Sequence, residues 1–180
     1  MTRRARRLSG LGLADNLLIR AAERDDLTAM ARIYNEGIED RVATFETDPR
    51  EPADLEPWLG ESGPCLVAIG EAGEVLGFAR VGSYSDRCVY EGVGEHAVYV
   101  SRDARGQGIG VQLLEEMAAA SEAAGFYKLT TRVFTENEAS LVAHDRAGFK
   151  RIGVQRRHGK LDGEWKDCVL IERLLGEAAT

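Results

Sequence analysis

Apolar positions along the chain change period several times, and each change predicts an element. Leu17-Leu18-Ile19-Arg20 is a short apolar run that reads as a first strand. Asp25 and Asp26 then offer helix-cap chemistry. Leu27, Met30, Ile33, Tyr34 and Ile38 recur every three or four residues, the buried stripe of a helix. Pro49, Pro52 and Gly60 bracket a short second helical region. Cys65 to Ile69 and Val75 to Val81 are apolar runs of strand length, and the turn Glu71-Ala72-Gly73-Glu74 joins them as a hairpin. Val93 to Val100 is a further strand. After a glycine-rich turn, Ile109, Leu113, Leu114, Met117 and Ala120 trace a second long helix that ends near Gly125. Tyr127 to Phe134 reads as a strand, Asn137 to Arg146 as a helix stopped by Gly148, and Lys150 to Gln155 and Cys168 to Arg173 as two last strands across a polar loop, Arg156 to Asp167. Hairpins come early and strand–helix–strand units late. That order predicts an α/β (α+β) chain with a mixed sheet covered by helices.

Composition narrows the classes. The 180 residues suffice for one domain with a core of its own. No apolar run approaches the length needed to cross a bilayer. The first sixteen residues hold Arg3, Arg4, Arg6 and Arg7 against Asp15, a net +3, which leaves −10 of the total −7 on the rest. An acidic domain repels phosphate backbones, so nucleic acid is not the expected partner. The arm 1–16 lacks the apolar segment of a secretory or twin-arginine signal. It reads as a disordered basic arm or an upstream extension, with the domain spanning 17–176. Cys65, Cys88 and Cys168 are scattered, and His96, His144 and His158 have no ligand spacing. The expectation is a reducing cytoplasm, no disulfide framework and no metal site.

The chemistry-bearing stretch is Val98-Tyr99-Val100-Ser101-Arg102-Asp103-Ala104-Arg105-Gly106-Gln107-Gly108-Ile109-Gly110. It sets a strand, then alternate glycines, then a helix start, where unpaired amides and the helix dipole suit a diphosphate. Glycine admits close approach of the phosphates, and Arg105 can add a charged contact. The spacing R-x-x-G-x-G differs from the dinucleotide fingerprint, and no Gly-Lys-Ser/Thr follows as a P-loop requires. On glycines alone, a tight turn without a ligand stays open.

The same residues resemble the GCN5-related N-acetyltransferases (the GNAT family). Arg105-Gly106-Gln107-Gly108-Ile109-Gly110 is similar to that family's pyrophosphate signature, Q/R-x-x-G-x-G/A. Val98-Tyr99-Val100 is similar to the strand that holds the pantetheine arm, and Asn137, Ala139 and Ala147-Gly148-Phe149 to its second cofactor segment. The resemblance covers about residues 17 to 175. It implies a single domain whose mixed, mostly antiparallel sheet splays at the acetyl-CoA-binding strand. It also implies acetyl-CoA as co-substrate, held by Val98, Tyr99, Val100, Arg105, Gly106, Gln107, Gly108, Ile109, Gly110, Asn137 and Ser140. A narrower resemblance, to the phosphinothricin and methionine sulfoximine acetyltransferases, rests on Tyr34 to Ile38, Ala43 to Thr47, Glu95 to Val100 and Gly163 to Asp167. Within that subgroup, Tyr84 to His96 is similar to the arsinothricin N-acetyltransferases. This implies transfer to the α-amine of a small amino acid-like toxin, detoxification and, as is usual in the subgroup, a homodimer.

Amine acetylation needs a group that removes the ammonium proton. Glu95 shares strand parity with Ala97 and Tyr99 and aligns with the subgroup's catalytic glutamate; its bland reading is a surface glutamate at a strand start. His144 precedes Gly148-Phe149 by four residues, where many family members carry a tyrosine. It is expected either to donate a proton to the leaving sulfur or to bond the cofactor. Asn137 suits a helix cap as well as a cofactor contact. For an acceptor with anionic groups, Arg80 and Arg87 are the candidate forks. Phe45, Tyr84 and Tyr90 are candidate pocket walls, and Trp165 either closes the site or meets a partner copy. The rivals are acetyltransferases of protein amino termini, polyamines or antibiotics, and a non-catalytic acetyl-CoA sensor.

Overall fold

In a computed structural model of the chain, residues 17–180 are described; the basic arm 1–16 lies outside them. Seven strands form one sheet: β1 (Leu18–Ala21), β2 (Cys65–Ile69), β3 (Val75–Ser83), β4 (Val93–Val100), β5 (Lys128–Phe134), β6 (Lys150–Leu161) and β7 (Glu164–Leu174). Their order is β1-β2-β3-β4-β5-β7-β6. Every neighbouring pair is antiparallel except β4 and β5. The helices are α1 (Leu27–Glu39), α2 (Pro52–Leu55), α3 (Ile109–Ala123) and α4 (Glu138–Arg146), with short 3₁₀ turns at Arg24–Asp26 and Glu56–Gly60 among others. Ahead of α1 the cap chemistry runs backwards from the expected sense. The Asp26 carboxylate accepts from the Glu23 amide at 2.8 Å, closing a capping box over the 3₁₀ turn.

Alternation along the strands assigns the two faces of the sheet. Phe78 and Val67 pack under α1 with Met30, Ile33, Tyr34 and Leu55, all buried. Ala79, Val81 and Ala68 point the other way, against Leu113, Leu114 and Met117 of α3. Those three α3 side chains are fully buried. Each contributes roughly 1.5–3 kcal/mol by leaving water, which anchors the helix whose first turn matters below. On the same side, Leu141 of α4 packs against Val133, Val169 and Ile171.

The stretch read as a polar loop, Arg156 to Asp167, is instead the end of a long hairpin. β6 runs to Leu161 and β7 starts at Glu164, with Leu161 opposite Glu164. Asp162 and Gly163 both sit at positive φ (49° and 85°), the two-residue geometry that Asp-Gly favours and that matches strand twist. Polar composition hid this strand because β6 is the sheet's outer edge and nearly all of its side chains are exposed.

Candidate active site

β4 and β5 are the one parallel pair, and they pair only briefly. Val93, Gly94 and Glu95 face Lys128, Leu129 and Thr130, after which the strands separate. From His96 to Val100, β4 therefore keeps β3 on one edge and has no strand on the other. A groove of about 360 Å³ opens along that free edge. Val98, Tyr99, Val100, Arg105, Gly106, Gly108, Ile109, Gly110, Asn137 and Ser140 all line it, with Asp40 and Val42 closing the α1 side.

The loop at its end has the shape the alternate glycines foretold. Gly106 and Gly108 hold φ of 76° and 82°, and Gly108 is the N-cap of α3. The first i→i−4 bond of α3 runs from the Gln112 amide to the Gly108 carbonyl at 3.2 Å. The amides of Ile109, Gly110 and Val111 thus stand ahead of the helical ladder, on a surface that lines the groove. Free amides at a helix start are the chemistry that suits a diphosphate. Gln107 lies behind it, in a broader cleft of about 710 Å³ with Glu71, Glu74 and Asp103 among its walls. Three carboxylates make that cleft the poorer phosphate site.

Arg105 takes a more specific position than its charge alone suggested. Its Nε donates to the Val100 carbonyl at 3.1 Å, and Nη1 pairs with Asp40 at 2.6 Å. Arg102 reaches the same carboxylate at 2.8 Å. Burial alone pushes the Asp40 carboxyl upward, but the two guanidinium groups outweigh it and hold the pKa below the ordinary value. Asp40 was not foreseen; it ties the end of α1 to the glycine loop. Asn137 works as a similar clamp. Its Oδ1 accepts from the Ser140 amide at 3.2 Å, capping α4, while Nδ2 donates to the Val42 carbonyl at 2.9 Å.

Glu95 is the last paired residue before the split, and its side chain is half-exposed. Its parity puts it on the α1 face with Ala97 and Tyr99. Arg132 of β5 donates from Nη1 to Glu95 Oε1 at 3.1 Å and from Nε to Gln155 Oε1 at 3.0 Å. Neither Arg132 nor Gln155 was foreseen. Beside them Phe45, from the segment after α1, meets Phe134 edge-on at 4.7 Å and packs with Leu161 and Cys168. Tyr99 is wedged between Tyr34 and Phe78. Burial, with Tyr34 adding to it, raises the Tyr99 pKa strongly, so the phenol stays protonated.

His144, Arg80, Arg87 and Trp165 lie outside the lining of the groove. His144 is buried on the sheet side of α4, one turn from core-facing Leu141. Its Nδ1 donates to the Ser140 carbonyl at 2.7 Å, which leaves Nε2 to accept from His96 Nε2 at 3.1 Å. Burial lowers both imidazole pKa values, for His96 with help from His144 beside it, so the pair is neutral at pH 7. A buried neutral imidazole with both nitrogens engaged is poorly placed to protonate sulfur. Arg80 shares the face of Glu95, but its guanidinium pairs with Glu61 at 2.6 Å and lies 4.4 Å over the Trp58 ring. Arg87 stacks at 5.5 Å on Tyr90, which meets Tyr84 edge-on at 5.7 Å, in a cluster of the β3–β4 connection. Among the described residues no hydrogen bond or ring contact joins that cluster to Glu95. Trp165, at the tip of the hairpin, is exposed under Lys160 at 4.5 Å.

A split parallel pair, a free strand edge and a glycine-capped helix start thus meet at one groove. Residues 27–149 match the acetyltransferase (GNAT) family, and the chain belongs to it. Among its relatives, an L-methionine sulfoximine/L-methionine sulfone acetyltransferase of Pseudomonas paraeruginosa is 34% identical over 158 residues, 86% of this chain and 92% of that one. A phosphinothricin N-acetyltransferase of Streptomyces coelicolor is 31% identical, covering 87% of this chain and 95% of its own. The crystal structure of a phosphinothricin acetyltransferase from Sinorhizobium meliloti in complex with acetyl-CoA superposes with a TM-score of 0.84. It is 31% identical, with 90% of each chain covered. The chain is therefore an acetyl-CoA-dependent N-acetyltransferase of this family.

Proposed function

We propose that the enzyme acetylates the α-amine of a small amino acid-like toxin of the phosphinothricin, methionine sulfoximine or arsinothricin kind, and that Glu95 is its general base. The observation that carries this reading is the position of Glu95. Its carboxylate stands at the apex of the β4–β5 split, on the strand that lines the cofactor groove. Acetyl-CoA supplies the acyl group as an activated thioester. The loop Arg105 to Gly110 would hold its diphosphate, and the free edge of β4 would hold its pantetheine arm. An α-ammonium group on the α1 face then gives a proton to Glu95, and the neutral nitrogen is the nucleophile. Acetylation removes the positive charge by which an amino acid mimic is recognised, which is the basis of detoxification.

Glu95→Gln tests the base. It keeps the side chain's size and its contact to Arg132 but cannot take a proton. Turnover is expected to fall roughly 10²–10⁴-fold with acetyl-CoA affinity retained. Unchanged turnover removes Glu95 from the mechanism.

A further inference from the structure

The α1 face of the site holds two arginines with different partners. Arg80 on β3 faces Ala97 across the strand pair, and continuing the β4–β5 register past the split would set Arg132 opposite Ala97 from the other side. Arg80 forms a 2.6 Å ion pair with Glu61 through Nη2 and covers Trp58, and its Nε is buried without a hydrogen-bond partner among the described residues. The pair of Arg132 with Glu95 is a single 3.1 Å contact, and Gln155 holds only the Arg132 Nε. Nη2 makes no hydrogen bond among the described residues, so the guanidinium keeps donors to spare. The pair is also reached by solvent, with Arg132 at 28% and Glu95 at 47% side-chain exposure. A one-point, solvent-reached ion pair adds little to stability and is readily exchanged.

We propose that Arg132 binds the α-carboxylate of the acceptor and that Glu95 is only its resting partner. This rests on the reading of Glu95 as base for an α-amine. In an α-amino acid the amine and the carboxylate are attached to the same carbon. A molecule that sets its ammonium group on Glu95 therefore sets its carboxylate within reach of the guanidinium touching Glu95. The fork of arginine suits a carboxylate better than a single-point contact does. As the carboxylate takes the guanidinium, Glu95 Oε1 loses the hydrogen bond it accepted, and the freed oxygen faces the ammonium proton. That proton passes from nitrogen to oxygen, one N–H bond giving way to one O–H bond. Recognition of the carboxylate and release of the base become one event, so an amine without the adjacent carboxylate meets a base still held by Arg132.

The test compares methionine sulfoximine with its carboxamide, in which the carboxylate alone is neutralised, by kcat and KM for each. In the wild-type enzyme the carboxamide should be poorer by roughly 10–100-fold in kcat/KM, the scale of a lost charge-assisted pair. In Arg132→Gln the KM for methionine sulfoximine should rise by a similar factor, and the preference over the carboxamide should collapse to within about threefold. Arg132→Lys, which keeps charge without the fork, should fall between. A merely structural role would depress both acceptors by one factor and leave their ratio intact, and that result overturns the proposal. So does an unchanged KM in Arg132→Gln. Should the wild-type enzyme acetylate neither molecule nor any other amino acid while binding acetyl-CoA, the α-amine reading itself fails and the proposal falls with it. Wild-type turnover thus separates the two failures.

Discussion

Gly108 shows what a single residue does here. A Cβ built on it meets nothing within 4 Å, so crowding is not why glycine stands there. The reason is its φ of 82°, in the left-handed region, which turns the chain into α3 with the next three amides facing the groove. A β-branched residue in that region costs about 1–2 kcal/mol. Gly108→Val should relax the turn and weaken acetyl-CoA binding roughly tenfold, read by calorimetry; wild-type affinity would count against a diphosphate site at this loop. The residue scale is also where the sequence says least about partners. Arg80 stands out in the sequence as a charge inside an apolar strand, but its partners Glu61 and Trp58, and the buried Nε left without a hydrogen bond, are visible only in the structure. Arg132 gave no such signal. Its importance depends on lying beside Glu95, and the register of a parallel pair three residues long cannot be read from either strand alone.

At the scale of elements the hydrophobic pattern carried far. The stripe of Leu27 to Ile38, the run Cys65–Ile69 and the strand Val93–Val100 fall where periodicity places them. The helix buries one stripe and the central strands lie between helices on both faces, so apolar character and position are coupled. β6 escapes that coupling. As an outer edge strand it buries little, and the legible signal was the turn pair Asp162-Gly163 rather than the strand. The helix α4 shows the opposite failure. It has faces toward both the core and the groove. Ala139, Ser140 and Ala143 line the groove, while Leu141 and His144 turn to the sheet. Spacing to Gly148-Phe149 located His144 along the helix but not around it. The glycine loop and Asn137 were legible because backbone demands fix them. The clamps Arg105–Asp40 and Asn137–Val42 were not, because their partners lie far away in sequence.

The whole molecule joins a conventional core to a deliberate gap. Among the described residues five antiparallel pairings keep the sheet order, and one parallel pair separates after Glu95 beside the groove. The buried His96–His144 pair sits beneath that opening with Phe149, and it gives stability a pH signature. The ordinary histidine value is 6.5, and both folded values lie below it. Between the folded values and 6.5 the unfolded chain binds protons that the folded chain refuses, so stability falls as pH drops below about 6.5. The carboxylates held low by arginine or lysine, Asp26, Asp40, Glu136 and Asp145, act elsewhere. Their ordinary values are 3.8 or 4.5, so their contribution is lost only at more acid pH. The melting temperature should therefore decline between pH 7 and pH 5, and His96→Phe should flatten that decline. An equal slope in both proteins would assign it to other groups.

The central claim is transfer of the acetyl group to the amine of a small amino acid mimic. The most direct measurement is thiol release from acetyl-CoA with phosphinothricin, methionine sulfoximine and arsinothricin as acceptors, set beside a polyamine and a peptide with a free amino terminus. Saturable release with at least one of the three amino acids, and a mass gain of one acetyl group on it, is the predicted result. Release with the peptide or polyamine alone, or none with any acceptor, would contradict the account.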